Sequence, residues 1–257
     1  MIRSRRHLIP IVIVVAILTV GVTLSVVYFS IPPDVPATTT PTQNPLNLEF
    51  DLIGVIDTGG YAVRVHVDGD LAFVIDYGEE TTYGLIIVNI SNPIQPEILG
   101  TYHAGGLPFA IESVDEIVYI ADQLEGLRII DISDLTNPVE IEGYTGSGMA
   151  FDLKIVGDFL FMADNDYGMV VLDISIPSTP VYVTSFGPDC VHLEIEENIA
   201  YIAGHGRLRT VNVSDPHHPT LLGQTISSSS TLWDPSVSNG IIYLANHSGF
   251  DGELLVF

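Results

Sequence analysis

Cysteine is almost missing. Cys190 is the only one in 257 residues, which excludes an intrachain disulfide. A domain outside the cytoplasm must then be held by packing, and this usage fits a prokaryote-like surface protein better than a disulfide-stapled ectodomain. Cys190 itself reads as a buried, inert thiol. Basic residues are scarce as well, 8 against 32 acids, for a formal net charge of −24. Three of the eight (Arg3, Arg5 and Arg6) precede the first acid, Asp34, so only five remain beside all 32 carboxylates. Such a surface repels phosphate backbones and excludes nucleic acid as a partner, while it suits divalent cations, cationic ligands or simple solubility. Common catalytic signatures are missing too: there is no G-x-S-x-G, H-E-x-x-H, P-loop or cysteine metal cluster. Beyond residue 47 no apolar pattern of helical period is sustained.

Charge is absent from Leu8 to Phe29. About 20 apolar residues cross the hydrocarbon core as a helix, so residues 8–30 are expected to form a transmembrane anchor. The arginines before it mark residues 1–7 as a cytoplasmic tail by the positive-inside rule, and Tyr28 and Phe29 suit the opposite interface. A cleaved signal peptide is the rival reading, but its apolar region is usually shorter and ends at a small-residue site. Either way, the remainder is expected outside the cytoplasm, at the cell surface. Residues 31–47 carry five prolines and a threonine cluster, which reads as a stiff stalk.

What is present beyond residue 47 is a repeat. An aromatic–x–apolar–acid element recurs as FVID (73–76), YIAD (119–122), FMAD (161–164), YIAG (201–204) and YLAN (243–246). The last positions of these elements are 46, 42, 40 and 42 residues apart. After each comes a glycine and a second element, such as GLRIIDIS (126–133) or GMVVLDIS (168–175). A Pro-bearing turn and a third element such as PEILGTY (96–102) follow. Short β-branched or aromatic runs bounded by Gly, Pro, Asn and Asp are strands. About four strands in roughly 42 residues, repeated, is the pattern of a propeller. The fifth copy stops at Phe257 before its third element, and the segment 48–58 resembles that element. The expected fold is therefore all-β: a five-bladed β-propeller of four-stranded blades over 48–257, closed by its N-terminal strand and preceded by one transmembrane helix. A piece of a longer propeller is the alternative.

These residues resemble the LVIVD-repeat family, in which a Y-x-A-D strand is followed by G-L-x-I-x-D-I-S-N-P. The resemblance covers nearly all of 48–257. It implies a β-propeller on a surface or secreted protein of bacteria or archaea, with no common activity. The fourth copy departs from the pattern, with Gly204 in place of the acid and extra residues in 206–214.

Within each repeat, Asn89, Asp131, Asp173 and Asn212 precede a turn where short polar side chains bond nearby backbone donors. Asn89, Asn212 and Asn246 also satisfy glycosylation sequons. The strand before each aromatic element should line the central channel, and its alternate positions form two rings. One is Arg64, Ala110, Asp152, His192 and Asp234; the other is His66, Glu112, Lys154, Glu194 and Ser236. They read either as a solvated lining or as a ligand pocket. Asp152, His192 and Asp234 have the oxygen and imidazole character of a site for a divalent cation such as calcium. Loop acids including Asp76, Glu79, Glu80, Glu125, Asp164 and Asp166, with aromatics such as Tyr167 and Phe250, read as a solvated or binding rim.

Three functions follow. The first is a tethered binding module for a protein, glycan or small ligand at the channel mouth. The second is a glycosidase-type hydrolase using carboxylates among Asp152, Asp234, Glu112 and Glu194. The third is a structural surface component.

Overall fold

The computed structural model describes residues 11–14, 24–29, 53–78, 83–123, 125–144, 148–238, 240–248 and 251–257. Every regular element among them is a strand. The first repeat forms the sheet β4 (Gly60–Asp68), β5 (Leu71–Gly78), β6 (Tyr83–Asn89) and β7 (Glu97–His103). The second forms β8 (Pro108–Val114), β9 (Ile117–Asp122), β10 (Gly126–Asp131) and β11 (Val139–Tyr144). The third forms β12 (Ala150–Val156), β13 (Phe159–Asp164), β14 (Gly168–Asp173) and β15 (Val181–Phe186). Each is a four-stranded antiparallel meander.

Turn chemistry explains the meander. First and second strands are joined by two-residue turns whose first central residue has positive φ: Gly69 (57°), Asp115 (53°), Gly157 (58°) and Glu197 (55°). Such turns match the right-handed twist of paired strands. After the third strand, the side-chain oxygens of Asn89, Asp131, Asp173 and Asn212 accept the N–H two residues on, at 2.8–2.9 Å. The short polar residues expected at these turns therefore act as local backbone acceptors.

The fourth repeat and the start of the fifth share one sheet: β16 (His192–Glu196), β17 (Ile199–Asn212), β18 (Thr220–Ser238), β19 (Ile241–Ser248) and β20 (Asp251–Val256). Val213 N–H donates to Asn198 O, so the two ends of β17 meet and the strand doubles back, with Gly206 at φ 69° in the bend. β18 pairs with β17 over its first half and with β19 over its second.

Alternation places the core between sheets. Along β9 every residue is buried. Ile120 and Val118 pack with Phe73, Ile75, Leu85 and Ile87 of the first sheet. Tyr119 and Ala121 face the other way, against Leu153, Leu160 and Met162 of the third. Phe161 and Ala163 repeat this move toward Leu193, Ala200 and Ile202. A middle strand buried on both faces loses its polar alternation, which is why these elements read as continuous apolar runs. Cys190 is fully buried in the third of these clusters, as expected.

Two expectations concern the N-terminus. The described parts of the 8–30 run are extended: β1 (Ile11–Val14) pairs with β2 (Leu24–Phe29), and β2 pairs with β3 (Gly54–Ile56). The run is rich in Ile, Val and Thr, which favour a pleated strand when a partner strand is present. The segment expected to close the last sheet thus hydrogen-bonds to β2, while the partner of β20 among the described residues is β19. No helix among the described residues is long and apolar enough to cross a membrane. The tail 1–7 and the stalk 31–47 lie outside the described residues.

Candidate functional site

The first strands β4, β8, β12 and β16 lie side by side, each beside the next. Their inward positions build a charged cluster from four repeats. Lys154 Nζ lies 3.2 Å from Glu194 Oε2 and 3.9 Å from Glu112 Oε1. Glu112 Oε2 is 3.7 Å from His66 Nδ1. His66 Nε2 is 3.0 Å from Ser113 Oγ, which donates to Asp68 at 3.4 Å, and the imidazole stacks on Phe73. The second ring is therefore a contiguous network, except at Ser236, which is exposed on β18.

Burial sets the charges. Glu112 is pushed up to about 7, first by loss of water and then by Asp152 and Glu194, against the opposing pull of Lys154. Desolvation works against the Lys154 ammonium, but Glu194, Glu112 and Asp152 outweigh it and hold its pKa above the usual lysine range. Burial lowers His66, with Lys154 adding to that effect and Asp68 opposing it. The cluster thus offers one ammonium, a carboxyl that titrates near neutrality and an imidazole biased toward its neutral form.

The first ring is assembled only in part. Arg64 Nε donates to Phe109 O at 3.0 Å, which ties β4 to β8. Asp152 lies 3.6 Å from the buried His192 and accepts Leu193 N–H at 3.1 Å and Leu153 N–H at 2.9 Å. Asp234 does not join them. It is exposed at φ 45°, where the β18–β19 register shifts between Trp233 and Ser236. The following Pro235 has no N–H to give the ladder, so the strand bulges and Asp234 leaves the alternating face. Among the described residues no three His, Cys, Asp or Glu side chains are grouped to hold a metal ion. The expected Asp152–His192–Asp234 cation site is accordingly corrected to an Asp152–His192 pair.

Two of the expected rim acids are also corrected. Asp76 and Asp164 are buried, as is Asp122. Asp164 accepts the N–H groups of Gly148, Asp166 and Tyr167 at 2.7–2.8 Å. Asp122 accepts Leu107 N–H at 3.0 Å and the Arg128 guanidinium at 2.8 Å. Asp76 accepts the Thr58 hydroxyl at 2.6 Å. These carboxylates clamp the loop that enters each sheet. Recurrence of an acid at one fixed position in successive repeats was the signal for this role. Around Asp122 the network extends through Arg128 to Glu140, at 3.0 Å, and on to the Tyr102 hydroxyl, whose pKa is pushed to about 12, first by burial and then by Glu140. Glu79, Glu80 and Phe250 lie outside the described residues.

With this geometry in hand, the chain can be placed beside known proteins. The LVIVD repeat matches residues 59–104, 116–146, 147–187 and 189–225, more than half of the chain. No curated protein sequence matches it. Among solved structures it is similar to a functionally unknown protein from Desulfotomaculum acetoxidans, with TM-score 0.61 and 13% identity over 90% of this chain and 75% of that one. The computationally designed protein Ika8 aligns with TM-score 0.57 and 13% identity over 77% of this chain. BamB from Moraxella catarrhalis aligns with TM-score 0.54 and 16% identity over 76% of this chain. The aligned regions span 58% of Ika8 and 57% of BamB. At these identities the likeness is one of fold, and the fold is propeller-like.

Proposed function

Because the chain belongs to the LVIVD-repeat family, with the propeller-like fold just described, we propose that it is a surface-tethered binding module whose ligand meets the cluster on the first strands. The carrying observation is the His66–Glu112–Lys154–Glu194 network, drawn from four different repeats. An ammonium held between two carboxylates beside an imidazole presents both donors and acceptors, as a glycan or small polar ligand needs. Five copies of the aromatic element support a ring of five blades, in which these strands line one channel.

A hydrolase reading draws on one specific observation: Glu112 is a carboxyl protonated near neutrality, and it sits in the same network as Glu194. That pair, rather than Asp152 with Asp234, is the one such chemistry would use. Screening the full chain against glycans and small polar metabolites tests both readings. Ligand binding that a Glu112→Gln/Lys154→Met variant loses, with no product formed, supports the module. Product formation lost in Glu112→Gln turns the reading to catalysis. Binding unchanged in the double variant removes the cluster from either role.

Membrane attachment belongs to the same proposal. In lipid the short strands β1 and β2 would leave edge N–H and C=O groups unpaired, whereas a helix over 8–30 satisfies them all. The full chain should stay with membranes at alkaline pH, and external protease should remove the repeats from intact cells. Recovery in the soluble fraction overturns the anchor.

A further inference from the structure

Arg209, on the returning half of β17, is only 5% exposed. Its Nη1 donates to Pro188 O at 2.7 Å and lies 3.5 Å from Asp189 O, while Nη2 is buried with no hydrogen-bond partner among the described residues. The second repeat shows how an arginine at this position is neutralised. Arg128 and Arg209 both stand three residues before the turn-forming acceptor, Asp131 or Asn212. Arg128 is neutralised by two carboxylates, Asp122 at 2.8 Å and Glu140 at 3.0 Å. In the fourth repeat Gly204 replaces the first. Leu221 replaces the second, since it pairs opposite Val211 as Glu140 pairs opposite Ile130. The repeat has kept the arginine and lost both of its anions.

An internal acid cannot be restored at the first place. A Cβ on Gly204 would lie 2.0 Å from Asp189 O. The Asp189 carboxylate turns to His205, 3.9 Å away. Arg207, two residues along the same strand and exposed, adds a second positive charge. Burial and then Arg207 work against the Arg209 charge, and Asp189 favours it without outweighing them, so the guanidinium is left short of counter-charge. The turn above it is thin: Gly187 and Pro188 are exposed, and Gly187 has no side chain to place over the guanidinium.

We propose that the seam between the third and fourth repeats is an anion site, in which Arg209 Nη2, with Arg207 at its mouth, takes the carboxylate of a small organic acid. A carboxylate is the group the same position holds in the second repeat, where Asp122 and Glu140 supply it from within the chain. Small size follows from the net charge of −24, which repels polyanions. Entry is beneath the Gly187–Asp189 turn.

The test is thermal melting of the full chain in detergent, with chloride replaced stepwise by acetate or by phosphate at constant ionic strength. A ligand of the folded state raises the melting temperature as its concentration passes its dissociation constant. Acetate should give a saturable rise that is absent in Arg209→Met. Leu221→Glu supplies the missing internal carboxylate, so it should melt higher than the wild type in chloride and not respond to acetate. No saturable acetate response in the wild type overturns the proposal, as does an equal response in Arg209→Met. A response to phosphate alone overturns the carboxylate class. If Arg209→Met does not fold, a response retained in Leu221→Glu is equally decisive against it.

Discussion

At the scale of single residues, Glu112 governs how the molecule answers to pH. His66, Lys154, Asp152 and Glu194 surround it, and its carboxyl titrates at about 7 instead of an ordinary 4.5. As pH rises through that window the unfolded chain releases this proton while the folded chain keeps it. The group's contribution to stability therefore falls, by about 3 kcal/mol in all, and is level above pH 7. Glu112→Gln has no proton to lose, so urea unfolding at several pH values should show the wild type declining relative to the variant between pH 5 and 7. Parallel curves would mean the carboxyl is better solvated than its surroundings indicate. His66 works in the opposite sense, because burial depresses it, and since it touches Glu112 a Glu112→Gln/His66→Gln double variant separates the two contributions.

The clamp aspartates act at the scale of the element. Asp164 ends β13 and holds three N–H groups, on Gly148 before β12 and on Asp166 and Tyr167 before β14. Asp164→Ala should destabilise the domain by about 2–4 kcal/mol, because three part-buried hydrogen bonds to a charged, buried acceptor would be lost together. Denaturant unfolding at pH 7 measures it, and a loss below about 1 kcal/mol would show water taking over the carboxylate's role. At this scale the strands themselves were legible. Period-two alternation marked β4 and β8, and continuous apolar runs between Gly and Asp marked β9 and β13. The burial of Asp76 and Asp164 was not, because an acid at a strand end looks the same whether it meets water or a backbone amide. Nor was the loss of Asp234 from its ring: spacing aligned it with Asp152, and only the effect of Pro235 on the ladder removes it. The Lys154 network was legible, since alternation alone put Glu112, Lys154 and Glu194 on one face.

Across the whole molecule, the repeats are held by what passes between sheets. Ile120 and Tyr119, neighbours in sequence, belong to different hydrophobic clusters on opposite faces of β9. Each sheet is thus completed by the next, and a repeat cut out alone would expose both faces. This also explains why the sequence periodicity revealed the repeat and not how the sheets join. The strand count per repeat is set locally by turns, whereas the fusion of the fourth and fifth repeats depends on β18 running on from Thr220 to Ser238.

That long strand has a consequence for how the protein opens. Because β18 carries hydrogen bonds to both β17 and β19, the fourth and fifth repeats share a backbone and cannot be released one at a time. Amide hydrogen exchange should find Val211, Leu232 and Leu244 protected to a common free energy, as one cooperative unit. Ile86 in the first sheet, with no strand in common with them, is free to differ. A stepwise order, with Leu244 exchanging well before Val211, would mean that β18 hinges where its two halves meet.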